Sequence, residues 1–338
     1  MIHQFIERRT SKVKTEKLFG DKTVSFIYST TREKAPFLYK AAASARMSSI
    51  LGYLNFEMPG GSLLTGADGI IKELGIDLTE CVDPQSELNT PKKIFERKIK
   101  YWDLRPMSID PESIVSPADA KILIGSFADV SRLFIKEKFF SYDELFSDRK
   151  TRPGKTRWID AFVDGDFAVL RLTPEKYHYN HLPVTGKVID IYEIDGAYHS
   201  CNPTAMIHVV TPLSKNKRVV TIIDTDIHGG SRVGLVALIE VVALMIGEIV
   251  QCYSDFEYVN PRPIQPGMAL MKGQPKSLYR PGSSVDLVIF QKNKIEFCED
   301  IISNMYRTDA QSRFSKGFGQ PLIETEVAVR STIAFRRQ

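Results

Sequence analysis

The chain has 338 residues, which is enough for one large domain or two, with a substantial core. Hydrophobic residues make up 43% of the chain and charged residues 25%, as in ordinary folded soluble proteins. The net charge of +4 is compatible with an anionic membrane surface but is too small to indicate nucleic-acid binding.

The four cysteines are scattered, and none belongs to a C-x-x-C pair. This pattern argues against a zinc site and against a disulfide framework, and it favours a reducing compartment. Residues 1–22 mix charges of both signs and lack an apolar run, so no secretory signal is predicted.

The first hundred residues have helical patterns. Residues 38–56 place apolar side chains on one stripe, and a second helix is predicted to start at Thr90, an N-cap followed by Pro91. The apolar side of this second helix would carry Ile94, Phe95, Ile99 and Trp102.

The rest of that second helix is basic, with lysine or arginine at positions 92, 93, 97, 98 and 100. A solvated helix face explains these charges. A surface that docks on anionic lipid explains them too, at about 1 kcal/mol for each nearby cation. The amphipathic pattern fits both interpretations.

Short strands dominate from about residue 114 onward. The dipeptides Asp164-Gly165 and Asp195-Gly196 both indicate two-residue hairpin turns. Strands are predicted over residues 121–124, 188–192, 218–223, 233–242 and 285–290. We therefore expect an α+β protein, with a helical region over residues 1–105 and a β-rich domain over residues 106–338.

Residues 233–250 are mostly apolar and reach the lower length limit of a membrane span. The run contains Glu240 and Glu248, which are costly inside a bilayer, and it is interrupted by Gly234 and Gly247. Two buried strands, or a strand and a bend, are predicted here, and no transmembrane helix.

Three short segments carry reactive groups. Ser283 follows Gly282 in a turn that leads into a strand, so its hydroxyl could reach the Gly282 carbonyl; a plain turn explains the same residues. His178 and His181 would share a face in a helical turn but point to opposite faces in a strand. They supply only half of a zinc shell, so no metal site is predicted.

The third reactive group is Asp119, which follows Pro117-Ala118 and precedes a predicted strand. Taken alone, it has the composition of an acidic turn residue. An aspartate that binds one imidazole nitrogen would instead fix the tautomer of the ring and support the charge that forms on it.

Residues 116–119, 171–183 and 281–284 occur in this order and together resemble the motifs of the phosphatidylserine decarboxylase family, a group of self-cleaving pyruvoyl enzymes. The resemblance implies a triad of Asp119, His181 and Ser283, with His178 near the substrate. It also implies that the chain cleaves itself between Gly282 and Ser283 and that Ser283 becomes the pyruvoyl cofactor.

The implied reaction is the decarboxylation of phosphatidylserine to phosphatidylethanolamine. A large subunit, 1–282, and a small pyruvoyl subunit, 283–338, would stay associated as a heterodimer, with further dimerisation left open. The resemblance further implies a peripheral membrane protein on the cytoplasmic face of a cell membrane, in which residues 1–105 contact anionic phospholipid. No nucleic-acid partner is expected.

Three alternatives remain at this point. A decarboxylase of a free amino acid needs the same chemistry, an uncleaved homologue would only bind lipid, and a serine hydrolase would use Ser283 in an intact chain. The lack of a G-x-S-x-G motif argues against the hydrolase. Pro281 before the glycine and Asp286 in a usually apolar strand depart from the family pattern and leave cleavage efficiency and head-group preference open.

Overall fold

A computed structural model of the protein describes residues 2–18, 21, 69, 71–72, 74–128, 139–147, 156–209, 211–243, 248–282 and 284–338. The helix predicted over residues 38–56 and the side chain of Ser283 lie outside these residues.

A ten-stranded sheet forms the body of the molecule. From one edge to the other its strands are β11 (Ala269–Leu270), β7 (Gly186–Ile194), β8 (Arg218–Asp224), β9 (Leu235–Val242), β13 (Ser284–Phe290), β5 (Asp166–Leu172), β4 (Ala120–Ser126), β15 (Glu324–Val327), β1 (Gln4–Glu7) and β2 (Lys12–Thr15). Neighbouring strands are antiparallel except β1 and β15, which run parallel.

Two three-stranded sheets accompany the large one. The first consists of β10 (Ile249–Gln251), β12 (Pro275–Tyr279) and β6 (Tyr179–His181). The second consists of β14 (Ile295–Phe297), β16 (Thr332–Arg336) and β3 (Ser113–Val115). The first small sheet holds the histidine motif and leads into the predicted cleavage turn.

The α-helices that lie wholly within the described residues are short and connect the strands. In chain order they are α1 (Pro91–Phe95), α2 (Tyr101–Leu104), α3 (Tyr142–Phe146), α4 (Thr156–Ala161), α5 (Pro203–His208), α6 (Pro212–Lys215), α7 (Glu299–Met305) and α8 (Arg313–Phe318). Helices and strands together confirm the α+β class.

The core lies around β5, β9 and β13, and every residue of β13 is buried. Strands covered on both faces are mostly apolar along their length, which explains the apolar sequence of β9, where Glu240 is the exception. Among the described residues of the apolar run at 233–250, 235–242 form β9, which is buried as predicted, and 249–250 begin β10, which is only half-buried. In the described part of the chain, no helix has the length and apolar character that a membrane crossing requires.

The N-terminal expectation needs correction where the structure describes it. Residues 4–7 and 12–15 form β1 and β2, and β1 extends the large sheet by pairing with β15. The partner strand is more than three hundred residues away in sequence, so a local helical pattern could not reveal it. The division between residues 105 and 106 stays a prediction.

The basic helix after Thr90 is also different from the prediction. Thr90 is the N-cap, as predicted, and its hydroxyl accepts a hydrogen bond from the Lys93 N–H. However, α1 ends at Phe95, and Ile99 lies in a β-bridge with Cys81. Arg97 is buried with its guanidinium on two backbone carbonyls, so it is not part of a solvated basic face.

Neither aspartate–glycine pair closes a hairpin. Asp164 has a positive φ of 56°, as such a turn requires, but helix α4 precedes this turn in place of a strand. The pair Asp195-Gly196 ends β7, and the chain then passes through α5 and α6 before it returns as β8. Both pairs lie in turns, as their composition predicts. However, a helix precedes the first pair and a helix follows the second, where a strand was expected.

Candidate active site

Asp119 lies immediately before β4, in a turn shaped by the Ser116 hydroxyl, which donates to the Ala118 carbonyl at 2.7 Å. The buried carboxylate accepts hydrogen bonds from Arg105 Nε at 3.1 Å and Nη2 at 2.9 Å, and from the Val329 N–H at 2.7 Å. Burial alone would raise the pKa of Asp119, but the hydrogen bonds and charge of Arg105 outweigh it and hold the pKa below its usual range. Asp119 is therefore ionised at neutral pH.

His181 ends β6, and its backbone N–H donates to the Pro117 carbonyl at 2.7 Å, which joins the histidine motif to the aspartate motif. Its Nδ1 lies 2.8 Å from the Gly273 carbonyl oxygen, and its Nε2 lies 2.9 Å from the Tyr177 hydroxyl. A carbonyl oxygen can only accept, so Nδ1 carries the hydrogen and Nε2 accepts from Tyr177. Burial lowers the pKa of His181 to about 3, which leaves the ring neutral.

Within the described residues, no hydrogen bond joins Asp119 to the His181 ring. Both ring nitrogens are engaged by Gly273 and Tyr177, and the Asp119 carboxylate is engaged by Arg105. Gly273, instead of Asp119, fixes the histidine tautomer in this structure. This corrects the expectation of a directly bonded aspartate, although the two motifs do lie side by side.

His178 occupies a different environment from His181. Its ring is fully buried and stacks on Phe95, with 3.6 Å between ring centroids and 26° between ring planes. Neither ring nitrogen has a well-aligned hydrogen-bond partner among the residues that the structure describes, although the Lys176 backbone lies close enough to interact with the ring. Burial, and then the charge of Arg97, lowers the pKa of His178 well below its ordinary value. The two histidines therefore do not share one helical face, because the chain at residues 179–181 is a strand.

The predicted cleavage turn connects β12 to β13. Gly282 has a φ of 154°, inside the region that side chains disfavour, so the glycine is needed for this backbone path. Arg280, before the turn, donates from Nη1 to Glu96 at 2.7 Å and from its backbone N–H to the Glu248 carbonyl at 2.9 Å. The strand that leaves the turn is held on both sides, because Ser284 pairs in register with residues of β5 and β9.

A buried polar cluster next to this turn was missed by sequence reasoning. It consists of Glu240, Lys276, Tyr279 and Asp286, each of which is at most 1% exposed. The signal was present, since Glu240 and Asp286 each interrupt an apolar strand, but only the pairing of β9 with β13 shows that they face each other.

The match to known proteins agrees with the motifs. Residues 92–314, more than half of the chain, match the family model described as phosphatidylserine decarboxylase. The chain belongs to the phosphatidylserine decarboxylase family.

Relatives in this family are similar to most of this chain. The phosphatidylserine decarboxylase proenzyme of Fusobacterium nucleatum is 29% identical over 89% of this chain and 91% of its own length. The proenzyme of Ruminiclostridium cellulolyticum is 28% identical over 88% of this chain and 91% of its own. The phosphatidylserine decarboxylase proenzyme 2 of Oryza sativa subsp. japonica is 31% identical over 69% of this chain but only 34% of its own.

Proposed function

We propose that the chain is a proenzyme that cleaves itself between Gly282 and Ser283 and then decarboxylates phosphatidylserine to phosphatidylethanolamine. The family match over residues 92–314 carries this proposal. The hydrogen bond from the His181 N–H to the Pro117 carbonyl supports it, because it places the aspartate motif beside the histidine motif.

In maturation, His181 is the proposed base. Gly273 orients its ring, and the negative charge of Asp119 would stabilise the imidazolium that forms when the ring accepts a proton. Its Nε2 takes the role, because Nδ1 already carries a hydrogen. The ring is neutral at physiological pH, so Nε2 carries a lone pair, but burial makes the ring a weak base. Strand register places His181 opposite Pro275, eight residues before Ser283, so the turn would have to move toward the ring before the Ser283 hydroxyl could replace the Tyr177 hydroxyl as the donor to Nε2.

The bond changes then balance as follows. The Ser283 oxygen attacks the Gly282 carbonyl carbon, the amide C–N bond breaks as its nitrogen takes the proton held by His181, and an ester forms. Residue 283 loses its α-proton, the bond from its Cβ to the ester oxygen breaks, and Gly282 leaves as a carboxylate. The enamine that remains at residue 283 takes a proton at Cβ and becomes an imine, and water hydrolyses the imine to ammonia and a ketone, the pyruvoyl group.

The residues around the turn fit such a group. Pro281 and Gly282 are buried, and β13 holds the following residues rigidly, so a ketone formed at position 283 would be fixed in place. A pyruvoyl carbonyl would supply the electron sink that decarboxylation requires. His178 is proposed to relay a proton near the substrate, accepting one on its bare ring nitrogen as it gives one from the other.

The two fragments, residues 1–282 and 283–338, are proposed to remain together as a heterodimer. The small fragment contains β13, which pairs along its whole length with β5 and β9 of the large fragment. Such a central strand stays in place without the covalent link, because its side chains are buried on both faces.

We propose that the protein is a peripheral membrane protein at the cytoplasmic face, where phosphatidylserine is both substrate and part of the docking surface. Residues 1–105 are the proposed docking region. In the basic cluster of residues 92–100, Lys93 and Lys100 are exposed and Lys92 and Lys98 are half-buried, so their charges add to the attraction of an anionic surface.

The proposal is tested by denaturing gel electrophoresis and product analysis. The wild type should run as two fragments and convert phosphatidylserine in anionic vesicles, while Ser283→Ala should stay in one piece and be inactive. A wild type that never cleaves contradicts the enzyme and favours the lipid-binding homologue. A cleaved protein that ignores the vesicles but decarboxylates a soluble amino acid contradicts the lipid substrate.

A further inference from the structure

The buried polar cluster of Glu240, Lys276, Tyr279 and Asp286 lies against the cleavage turn. Lys276 and Tyr279 belong to β12, which enters the turn, and Asp286 belongs to β13, which leaves it. Glu240 belongs to β9 and stands directly opposite Asp286 in the strand register. The cluster therefore contacts the chain on both sides of the proposed scissile bond.

The cluster contains one cation for two carboxyl groups. Lys276 Nζ lies 2.6 Å from Glu240 Oε2, and Glu240 also accepts hydrogen bonds from Gln251 at 3.1 Å and Asn180 at 3.2 Å. Asp286 has no cation of its own within the described residues, and its neighbour on the β5 side is Leu170. Two adjacent carboxylates in a dry interior cannot both ionise at low cost. Burial, and then the charge of Glu240, raises the pKa of Asp286 well above its ordinary value.

The hydrogen bonds around Tyr279 independently indicate where that proton lies. The Tyr279 hydroxyl is 3.1 Å from the Val241 N–H, 2.7 Å from Asp286 Oδ1 and 3.1 Å from the Val285 carbonyl oxygen. Since a hydroxyl has a single hydrogen, it cannot donate to both Asp286 and Val285. If Oδ1 carries a proton, it donates to the hydroxyl oxygen, the hydroxyl donates to Val285, and all three contacts are hydrogen bonds.

We infer that Tyr279 and a neutral Asp286 are a positioning pair that ties together the two ends of the cleavage turn. The pair bridges from three residues before Gly282 to three residues after Ser283. This role rests on the proposed self-cleavage. Attack by a side chain on its own backbone needs the reacting atoms about 3–3.5 Å apart, so a turn whose ends separate reacts more slowly. After cleavage the same bond would join the large fragment to the small one.

The test compares rates of self-cleavage after cell-free synthesis, followed on denaturing gels. Asp286→Asn keeps a neutral side chain that can donate to Tyr279, so we expect cleavage within about twofold of the wild type. Asp286→Leu has a similar size but no hydrogen-bonding group, and we expect cleavage to slow by about tenfold or more, as for Tyr279→Phe. If asparagine restores cleavage and leucine does not, the site needs a neutral hydrogen-bond donor and not only a side chain of the right volume.

Several outcomes overturn the inference. Asparagine and leucine variants with equal rates would contradict it, and so would a Tyr279→Phe variant that cleaves as fast as the wild type. If Tyr279→Phe does not fold, the comparison of the two Asp286 variants decides alone. A wild type that does not cleave rejects the proposed function itself, whereas normal wild-type cleavage with unaffected variants rejects only the positioning pair.

Discussion

The imidazole of His181 donates its Nδ1 hydrogen to the carbonyl oxygen of Gly273 at 2.8 Å. Gly273 has a φ of 78°, in the left-handed region, and an added Cβ would collide with the sulfur of Met107. Lys272, the residue before it, donates from Nζ to the carbonyls of Asp110 and Ser113 at 3.0 and 2.7 Å. The tautomer of the proposed base therefore depends on a glycine that is held in an anchored loop.

Replacing that glycine should impair both stability and self-cleavage. We expect Gly273→Ala to lower the free energy of unfolding by about 1–3 kcal/mol, because of backbone strain and the collision with Met107. Cleavage should slow by about tenfold or more as the carbonyl shifts away from His181. Urea unfolding in a Ser283→Ala background measures the first effect, and gel-based cleavage rates measure the second.

Gly229→Ala is the matched control for this prediction. Gly229 has nearly the same φ, 75°, but has no atom within 4 Å of an added Cβ. Gly229→Ala should lower the free energy of unfolding by about 1 kcal/mol, because of backbone strain, and should leave the cleavage rate unchanged. Equal cleavage rates for the two alanine variants would contradict the positioning role of Gly273.

Stability should fall as the pH drops below about 6.5, the ordinary histidine pKa. The pKa of His181 is lowered to about 3 and that of His178 is lowered well below its usual value, both mainly by burial. Between pH 6.5 and 3 the unfolded chain therefore binds more protons than the folded one, so the free energy of unfolding falls with pH. Each such histidine contributes a slope of about 1.4 kcal/mol per pH unit.

His178→Phe should remove one such contribution, because phenylalanine can keep the stacking on Phe95 without a titrating group. The measurement is urea unfolding at several pH values from 4 to 7 (roughly the histidine titration range) in the Ser283→Ala background. Exposed His228→Gln is the control and should leave the slope unchanged. A His178→Phe variant with the wild-type slope would contradict the buried, neutral state of His178.

Removing the guanidinium of Arg105 should strongly destabilise the site around Asp119. Arg105→Met leaves a buried carboxylate without its cation, which costs about 3–5 kcal/mol for a fully buried pair and somewhat less at the partial exposure of Arg105. The comparison is Arg262→Met, because Arg262 pairs with Asp255 at 2.6 Å but both side chains are about half exposed. That exposed pair should contribute less than about 1 kcal/mol. Similar losses of unfolding free energy in the two variants would show that Asp119 does not depend on Arg105.

The N-terminal strands should depend on Arg171. Its guanidinium lies 2.6 Å from both Glu16 and Glu324, and Glu324 also bonds His3 at 2.8 Å. The two glutamates and the histidine lie close enough to hold a metal ion, but Arg171 already supplies their counter-charge.

Arg171→Met should therefore destabilise the fold by about 3–5 kcal/mol and make the first residues susceptible to proteases. The exposed pair of Lys292 and Asp164, altered as Lys292→Met, serves as the control. The measurement is limited proteolysis. If the N-terminus of Arg171→Met resists proteases as well as that of the wild type, the N-terminal strands do not depend on Arg171.

Local chemistry made part of the fold predictable. The Thr90 N-cap, the buried strand after Ser283 and the two-strand interpretation of residues 233–250 depend on neighbouring residues only, and all three are confirmed in the described residues. The pairing of β1 with β15 is different, because it depends on contacts across nearly the whole chain. A local pattern does not contain that information.

The candidate site shows the same division. The motifs identified Asp119, His178 and His181, but the partner that fixes the His181 tautomer is a backbone carbonyl, which no side-chain pattern can indicate. The pairing of Asp286 with Glu240 was likewise hidden until strand register placed the two residues opposite each other. Side-chain identity predicts which groups can react, whereas their orientation is set by distant parts of the backbone.

The most direct test of the account is the intact mass of the purified protein. We expect two species. The smaller one begins at residue 283 and has the mass of a chain whose terminal amine has been replaced by a ketone. A single species with the mass of the full 338-residue chain, in a preparation that also leaves phosphatidylserine unchanged, would contradict the account.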